Sequence, residues 1–182
     1  MALVSIGDLP HNRPMHPAQL PVEQLLSQCK LQRTRRGGPG GQHRNKVETA
    51  IVIVHEPTGV RAEANERRSQ AENRAQALFR LRVRLALEVR QDRVPSALPG
   101  PSSLWIQRSA GGQIHVNPRH DDFPPLLAEA LDTIQAADSD VPVAARQLGV
   151  TPSQLVKLLK LQPDALVGVN RQRAVRSLPF LR

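Results

Sequence analysis

The chain has 182 residues, enough to bury a core as one ordinary domain or as two small ones. Its 25 Lys and Arg outnumber its 16 Asp and Glu, which gives a net charge of +9, and its single cysteine, Cys29, excludes an internal disulfide. No apolar run is long enough to span a bilayer, and the first residues lack the pattern of a secretory signal, so we expect a cytoplasmic protein with no membrane partner.

The first third of the chain predicts a lead-in and then a small sheet. Residues 1–28 are rich in proline and predict an extended or loosely ordered segment that ends in a short helix over 21–28. The alternation in CKLQRT (29–34) predicts a strand that leads into RRGGPGGQHRNK, residues 35–46, which we call the glycine loop. The β-branched stretch 47–55 predicts a buried strand, and a turn over 56–59 returns the chain into a strand over 60–64.

The glycine loop predicts a backbone that a ligand or partner can approach closely. Four glycines surround Pro39, and glycine adopts positive φ and carries no side chain, so Gln42 should lie near the tip of a narrow finger. Phosphate-cradling and dinucleotide-binding loops are both followed by a helix, whereas a strand follows here. No serine or cysteine of the loop accompanies a paired histidine and acid, which argues against a nucleophilic triad. Such a loop can still supply a backbone N–H and an amide to a reaction centre formed by a partner.

A long helix is predicted from Ser69 to about Asp92, because Ser69 and Glu72 have the spacing of a capping box. Residues at intervals of three and four predict its buried stripe, namely Ala71, Ala75, Leu78, Leu81, Leu85 and Val89. Arginines occupy much of its remaining surface, namely Arg74, Arg80, Arg82, Arg84 and Arg90.

Basic charge is concentrated around the loop and this helix. Between Lys30 and Arg93 there are 15 bases and 7 acids, whereas the remainder, with 10 bases and 9 acids, is close to neutral. A localised excess of bases indicates a polyanionic partner such as RNA, the alternative being an ordinary solvated basic surface. The chain has no tyrosine and few other aromatic residues, which argues against recognition of bases by stacking.

The second half predicts a linker and a helical module. Residues 94–122 are predicted to be a linker that contains a hairpin or irregular segment, in which a second Gly-Gly-Gln (111–113) is an ordinary turn. Residues 123–182 are predicted to be helical, and AARQLGVTPSQLVKLL has a helix-turn-helix pattern in which Gly149 ends one helix and Thr151 caps the next. Such a pattern occurs in DNA-binding regulators and in purely structural bundles. No cofactor and no metal site are expected, since the spacing of His115 and His120 is incidental. The predicted fold class is α+β: a small β-sheet packed with a long helix and bearing the glycine loop, followed by a small all-α module.

The motif RGGPGGQHRNKVETAI (36–51) resembles the signature of bacterial-type class I peptide chain release factors. That signature has an Arg, a Gly and then Gly-Gly-Gln, followed by His or Ser, Val, Asn and, farther on, Ser or Thr, Ala, and Ile or Val. The resemblance continues through HEPTGV (55–60) and ERRSQAENRAQALFRLRVRL (66–85) and covers about residues 30–90. Arg44 departs from it, because it replaces valine.

The resemblance implies a ribosome-dependent hydrolase of the peptidyl-tRNA ester. Its catalytic residues would be Gly40, Gly41 and Gln42, which enter the peptidyl-transferase centre of the ribosome, and a glutamine N5-methyltransferase would modify Gln42. The residues that hold the loop and the adjacent helix against 23S rRNA would be Arg35, Arg36, His43, Arg44, Asn45, Lys46, Arg67, Arg68 and Arg74.

Stop-codon reading is not expected. Too few residues precede Arg36 for a codon-reading domain, and neither Pro-x-Thr nor Ser-Pro-Phe occurs in the sequence. The sequence is similar in this respect to the short family members that rescue stalled ribosomes, although a helical module stands in place of their basic tail. The alternative is a non-catalytic ribosome- or RNA-binding protein that has kept the loop. The predicted organisation is thus a lead-in (1–28), a peptidyl-tRNA hydrolysis domain (29–93), a linker (94–122) and a helical module (123–182).

Overall fold

A computed structural model describes residues 15–34, 50–91 and 100–182. They form seven α-helices, a three-stranded sheet and a two-stranded hairpin, which confirms the α+β class. The strands are β1 Cys29–Thr34, β2 Ala50–His55, β3 Arg61–Ala64, β4 Ser109–Ala110 and β5 Gln113–Ile114. The helices are α1 Val22–Ser27, α2 Gln70–Glu88, α3 Ser103–Arg108, α4 Phe123–Ala136, α5 Val141–Gln147, α6 Pro152–Lys160 and α7 Pro163–Val175.

The three-stranded sheet is antiparallel in the order β1-β2-β3. Its central strand, AIVIVH, is rich in β-branched residues, which suit a pleated and buried position. Gly59, with φ of 72°, closes the predicted turn between β2 and β3 in a conformation that favours glycine. The long helix α2 packs on β2 and β3, so the alternating residues Ile51, Ile53, Ala62 and Ala64 lie buried beneath it.

Helix α2 begins as predicted but buries a different stripe. The Ser69 hydroxyl accepts from the Glu72 backbone N–H, which confirms the cap, whereas the helix ends at Glu88 and Val89 is already extended. Ala71 and Ala75 were predicted to be buried and are exposed. The buried stripe instead contains Asn73, Ala77, Leu81 and Leu85. Both stripes share Leu81 and Leu85 and differ by a small rotation of the helix about its axis. In the orientation observed, the Asn73 amide is buried and has backbone hydrogen-bond partners.

Arg82 is a correction to the predicted basic surface of α2, because the residue is buried, with only 9% of its surface exposed. It donates from Nε and Nη2 to the Ala18 carbonyl at 3.2 and 3.1 Å. Burial lowers the pKa of this guanidinium from its usual value. Arg82 therefore joins α2 to the lead-in instead of offering a charge to a ligand.

The described part of the lead-in is also more ordered than predicted. Pro17–Gln19 form a 3-10 helix that contacts α2 and α4, and both His16 and Ala18 are fully buried. The His16 ring accepts from the Ala18 N–H at 3.0 Å and lies 3.2 Å from the Val89 carbonyl. These local bonds, and the Arg82 contact, fix a segment whose prolines alone suggested a loose chain.

The segment after residue 100 begins with a helix that sequence reasoning missed. Residues 103–108 form α3, capped by Ser102, where a hairpin or irregular segment was expected; the hairpin itself follows as β4 and β5. Trp105 of α3 is fully buried, and its indole N–H donates to the Leu148 carbonyl at 2.8 Å. Ser102 is held in turn by the buried carboxylate of Glu129, which accepts from its N–H and hydroxyl at 2.7 and 2.6 Å.

The predicted helices beyond residue 123 are present, and they share one core with the sheet and α2. Helix α4 contacts α2, and the buried residues of β2, α2 and α4–α7 form a continuous cluster. The predicted division into domains stays a prediction, because a shared core does not by itself locate boundaries. No helix of the described residues is long and apolar enough to cross a membrane.

Candidate functional site: the loop end of the sheet

The glycine loop is anchored at one end of the three-stranded sheet. Thr34, the last residue of β1, and Ala50, the first of β2, are Cα partners in the antiparallel register. Residues 35–49 connect these two positions, and they lie outside the described residues. That range contains the predicted catalytic and loop residues, namely Gly40, Gly41, Gln42, Arg35, Arg36, His43, Arg44, Asn45 and Lys46. The structure therefore locates where this segment leaves and rejoins the sheet.

The start of α2 lies at the same end of the sheet. Ile51, next to Ala50, pairs with Ala64, the last residue of β3, and residues 65–69 lead from there into α2. Arg67, Arg68 and Arg74 were predicted to contact RNA, and all three are exposed in this region. We call the described part of this region, from 65 to 74 together with Arg33 and Thr34, the loop end.

Arg33 is a fourth basic residue of the loop end, and sequence reasoning missed it. It lies on β1 opposite Ile51 and is exposed. Its position in an alternating strand gave no sign of function. Its place in the register does, because it lies next to Thr34 and Ala50, where the glycine loop leaves and rejoins the sheet. The signal in the sequence was its position two and three residues before Arg35 and Arg36, which were predicted to bind RNA.

Asn73 fixes the approach to α2 from inside the protein. Its fully buried side chain accepts from the Arg67 N–H and donates to the Arg67 carbonyl, both at 2.9 Å. Two bonds to one backbone residue hold the chain just before the helix in place. The N-terminal end of α2 also carries partial positive charge from its peptide dipoles, which adds to the arginines as an attraction for phosphate.

Other arginines of α2 are engaged within the protein. Arg80 donates to the Glu66 carboxylate at 2.7 Å and to the Glu63 carbonyl at 2.8 Å, and the hydrogen bond from Arg80 lowers the pKa of Glu66. Arg84 donates to Glu88 and to the Arg61 carbonyl. By contrast, no ion pair joins Arg67, Arg68 or Arg74 to an acidic side chain within ranges 15–34, 50–91 and 100–182. The cations at the loop end are thus available to a polyanion.

The opposite end of the sheet contains the buried His55 and the partly buried Cys29. His55 lies 2.7 Å through Nδ1 from the Thr58 hydroxyl and 3.0 Å through Nε2 from the Gln28 amide oxygen, so the ring donates from Nε2 and accepts at Nδ1. Cys29 donates its S–H to the Leu25 carbonyl at 3.1 Å, and burial, with a contribution from Glu56, raises the pKa of its thiol to about 11. Cys29 is therefore a protonated packing residue and not a nucleophile.

We expect His55 to make stability depend on pH. Burial lowers the pKa of His55 from 6.5, so the unfolded chain binds this proton more readily than the folded one. The free energy of unfolding should be full above pH 6.5 and decrease as the pH falls below it, by at most about 1.4 kcal/mol per pH unit for one proton. Urea unfolding of the wild type and of His55→Gln at a series of pH values measures this. The variant should be less stable at neutral pH and should lose this part of the dependence; an unchanged dependence would show that His55 is not its source.

The second Gly-Gly-Gln and the histidines that follow it lie outside the loop end. The second Gly-Gly-Gln forms the turn of the β4–β5 hairpin, as predicted, with φ of 56° at Gly111 and 74° at Gly112. The Gly112 carbonyl accepts from the Thr151 N–H at 2.9 Å, so this turn packs against the start of α6. In the described part of the chain, no group of three His, Cys, Asp or Glu side chains is placed to hold a metal ion.

Comparison with known proteins relates the chain to translation termination factors. Residues 22–98, which include the whole glycine loop, match the RF-1 domain family. Peptide chain release factor 1 of Leptothrix cholodnii is 34% identical over 167 residues, which cover 87% of this chain and 43% of that protein. Chloroplastic peptide chain release factor PrfB1 of Arabidopsis thaliana is 50% identical over 60 residues, 33% of this chain and 13% of that protein. The chain thus spans less than half the length of the relatives that it matches.

Proposed function

Because the chain belongs to the class I peptide chain release factor family, we propose that it promotes hydrolysis of the peptidyl-tRNA ester on the ribosome without reading a stop codon. The observation that carries this proposal is the Gly-Gly-Gln of residues 40–42, inside the RF-1 match and between the paired positions Thr34 and Ala50. An antiparallel strand pair is a rigid base for a connecting segment, and rigid placement is what a group acting in another molecule's reaction centre needs.

The proposed chemistry needs little from the protein itself. Water adds to the carbonyl carbon of the ester, the bond from that carbon to the tRNA ribose oxygen breaks, and a proton of that water passes to the leaving ribose oxygen, which becomes a hydroxyl. The Gln42 backbone N–H would stabilise the negative charge that develops on the reaction centre, and its side chain would restrict the nucleophile to water. Gly40 and Gly41 leave room for the backbone to approach. No cofactor takes part in this reaction.

The loop end supplies the matching RNA contacts. Exposed Arg67, Arg68 and Arg74, together with the positive end of α2, would bind phosphates of 23S rRNA, and Arg35, Arg36 and His43 to Lys46 would do so within the loop. The proposed partners are therefore the ribosome and its peptidyl-tRNA, with a glutamine N5-methyltransferase acting on Gln42. A cytoplasmic location is part of this proposal.

Codon-independent action is the more specific part of the proposal. The 182 residues contain neither a Pro-x-Thr nor a Ser-Pro-Phe tripeptide, which are the family's codon-reading motifs. Rescue of stalled ribosomes is the activity that fits a release factor domain used without such a motif.

Release of labelled peptide from purified ribosomes carrying peptidyl-tRNA tests both parts. We would compare a truncated template with an empty A site, a template with a stop codon and one with a sense codon. We expect release on the truncated template that does not increase when a stop codon is present. Release confined to the stop-codon template would contradict codon independence, and binding without release on any template would favour a non-catalytic ribosome-binding protein.

A further inference from the structure

The charge of the second half of the chain is divided between two segments. Residues 94–140 contain two bases and six acids, whereas residues 141–182 contain seven bases and one acid, a net charge of +6. The near neutrality of the residues outside 30–93 therefore contains a cancellation between these two segments. Arg173 is buried and donates to the Ser139 and Pro179 carbonyls, but the other six bases of the basic segment are exposed. This segment is separate in sequence from the glycine loop and from α2.

Helix α6 places two of these bases between two grooves. Leu155, Leu158 and Leu159 are buried, which leaves Lys157 and Lys160, one turn apart, on the exposed side. A groove of about 550 Å³ on one side is lined by both lysines and Arg182, together with apolar residues that include Val156 and Phe180. A groove of about 240 Å³ on the other side contains Lys157, Gln154 and the exposed His115 of the hairpin segment.

The charge around α6 is of one sign. Among the described residues that line the two grooves there is no aspartate or glutamate. Lys157, Lys160 and Arg182 make no ion pair within the part of the chain that the structure describes. A helix that lies between two grooves, carries cations without ion pairs and has no acidic neighbour in either groove has the positive potential expected of a polyanion-binding surface.

We propose that this surface binds the phosphate backbone of structured RNA, as a second site apart from the glycine loop. We call it the α6 face, consisting of His115, Gln154, Lys157, Lys160 and Arg182. Lysine binds phosphate as a point charge and reads no base, and Gln154 alone has an amide suited to a base edge, so binding at this face is independent of sequence. The preference for RNA over DNA rests on the proposed function, in which the partner is the ribosome.

A repeated anion explains the α6 face better than an acidic peptide. Arg176 pairs with Asp138, but the other five exposed bases make no ion pair within the described residues. These five lie on α5, α6 and α7 and at the last residue, farther apart than a single groove extends. A nucleic acid presents phosphates at regular intervals along its whole length, so it can neutralise several such bases at once, and each contact releases counterions. A short acidic peptide would be confined to one groove.

Fluorescence anisotropy of a labelled RNA duplex with the full-length protein, over a series of salt concentrations, tests the α6 face. The variant Lys157→Gln/Lys160→Gln removes two charges from it. The matched control Lys30→Gln/Arg119→Gln removes two exposed charges that lie outside the basic segment and line neither groove. We expect the lysine variant to bind about tenfold more weakly and to lower the slope of log K against log salt by about two, as for two lost phosphate contacts. The control should change both quantities far less, and circular dichroism should show both variants folded.

Three results would overturn the proposal: equal losses in the two variants, no loss in either, or tighter binding to a particular DNA sequence than to RNA. Stronger competition by an acidic peptide than by unlabelled RNA would overturn it too and assign the grooves to a protein partner. The test does not depend on hydrolysis, since Gln42→Ala should keep this RNA affinity. The wild-type protein could fail to release peptide while the lysine variant still lost RNA affinity. That pair of results would contradict the proposed function and leave the RNA-binding proposal standing.

Discussion

Replacement of Gly41 by alanine is expected to lower the rate of peptide release by at least about 100-fold, the effect of misplacing one donor that stabilises developing charge. The added methyl group restricts the backbone at the residue that precedes Gln42, and it occupies space where the family's loop approaches its substrate. Ribosome affinity should be unchanged, because the exposed arginines of the loop end remain in place. Single-turnover release and ribosome pelleting measure the two quantities separately. Retained release by Gly41→Ala would contradict the proposed function.

The second Gly-Gly-Gln offers a matched control for the side chain of Gln42. Gln42→Ala should also abolish release, whereas Gln113→Ala, the same substitution at an exposed hairpin turn, should leave release at the wild-type rate. The comparison separates the effect of the motif's position from that of losing one surface amide. A loss of release in the Gln113 variant would assign a role to the hairpin that its packing against Thr151 does not suggest.

Local signals in the sequence were sufficient for most of the fold. The Ser69 cap, the glycine turn at Gly59 and the β-branched strand β2 each depend on neighbours in the chain, and each is present in the structure. The rotation of α2 was not predictable in the same way. Its two possible stripes share Leu81 and Leu85, and the one that forms depends on partners remote in sequence, among them the Ala18 carbonyl bound by Arg82. Arg82 was predicted to be a surface residue because the sequence alone does not reveal a buried acceptor 64 positions away.

The sequence predicted the motif of the candidate site, but it did not predict the full set of available basic residues around it. Gly40 to Gln42 and the arginines at 67 and 68 follow from the linear pattern. Arg33 enters only through the register of β1 with β2, and Arg80 leaves the set of available cations only through its contacts with Glu66 and Glu63. The basic segment at 141–182 was hidden for a simpler reason, because the total over all residues outside 30–93 cancelled it against acids, most of them in residues 94–140.

Trp105→Ala should be the most destabilising single change outside the loop, because this side chain links α3 to the end of α5. Trp105 is fully buried, and truncation of a buried tryptophan costs about 3–5 kcal/mol of unfolding free energy. Trp105→Phe should cost less, about 1–3 kcal/mol, mainly by leaving the Leu148 carbonyl without its donor. Urea unfolding followed by circular dichroism measures both, since the chain has no other tryptophan to serve as a fluorescent probe.

Ile106→Ala in the same helix is the control for this comparison. Ile106 is 60% exposed, so its truncation should change the free energy of unfolding by no more than about 0.5 kcal/mol. Because α4 contacts both α2 and α5, and one buried cluster runs through all of them, the loss in Trp105→Ala should lower the stability of the sheet and of the C-terminal helices together, in a single transition. Two separate transitions, with the first alone sensitive to Trp105, would instead show that the C-terminal helices unfold independently, and would support the predicted boundary near residue 123.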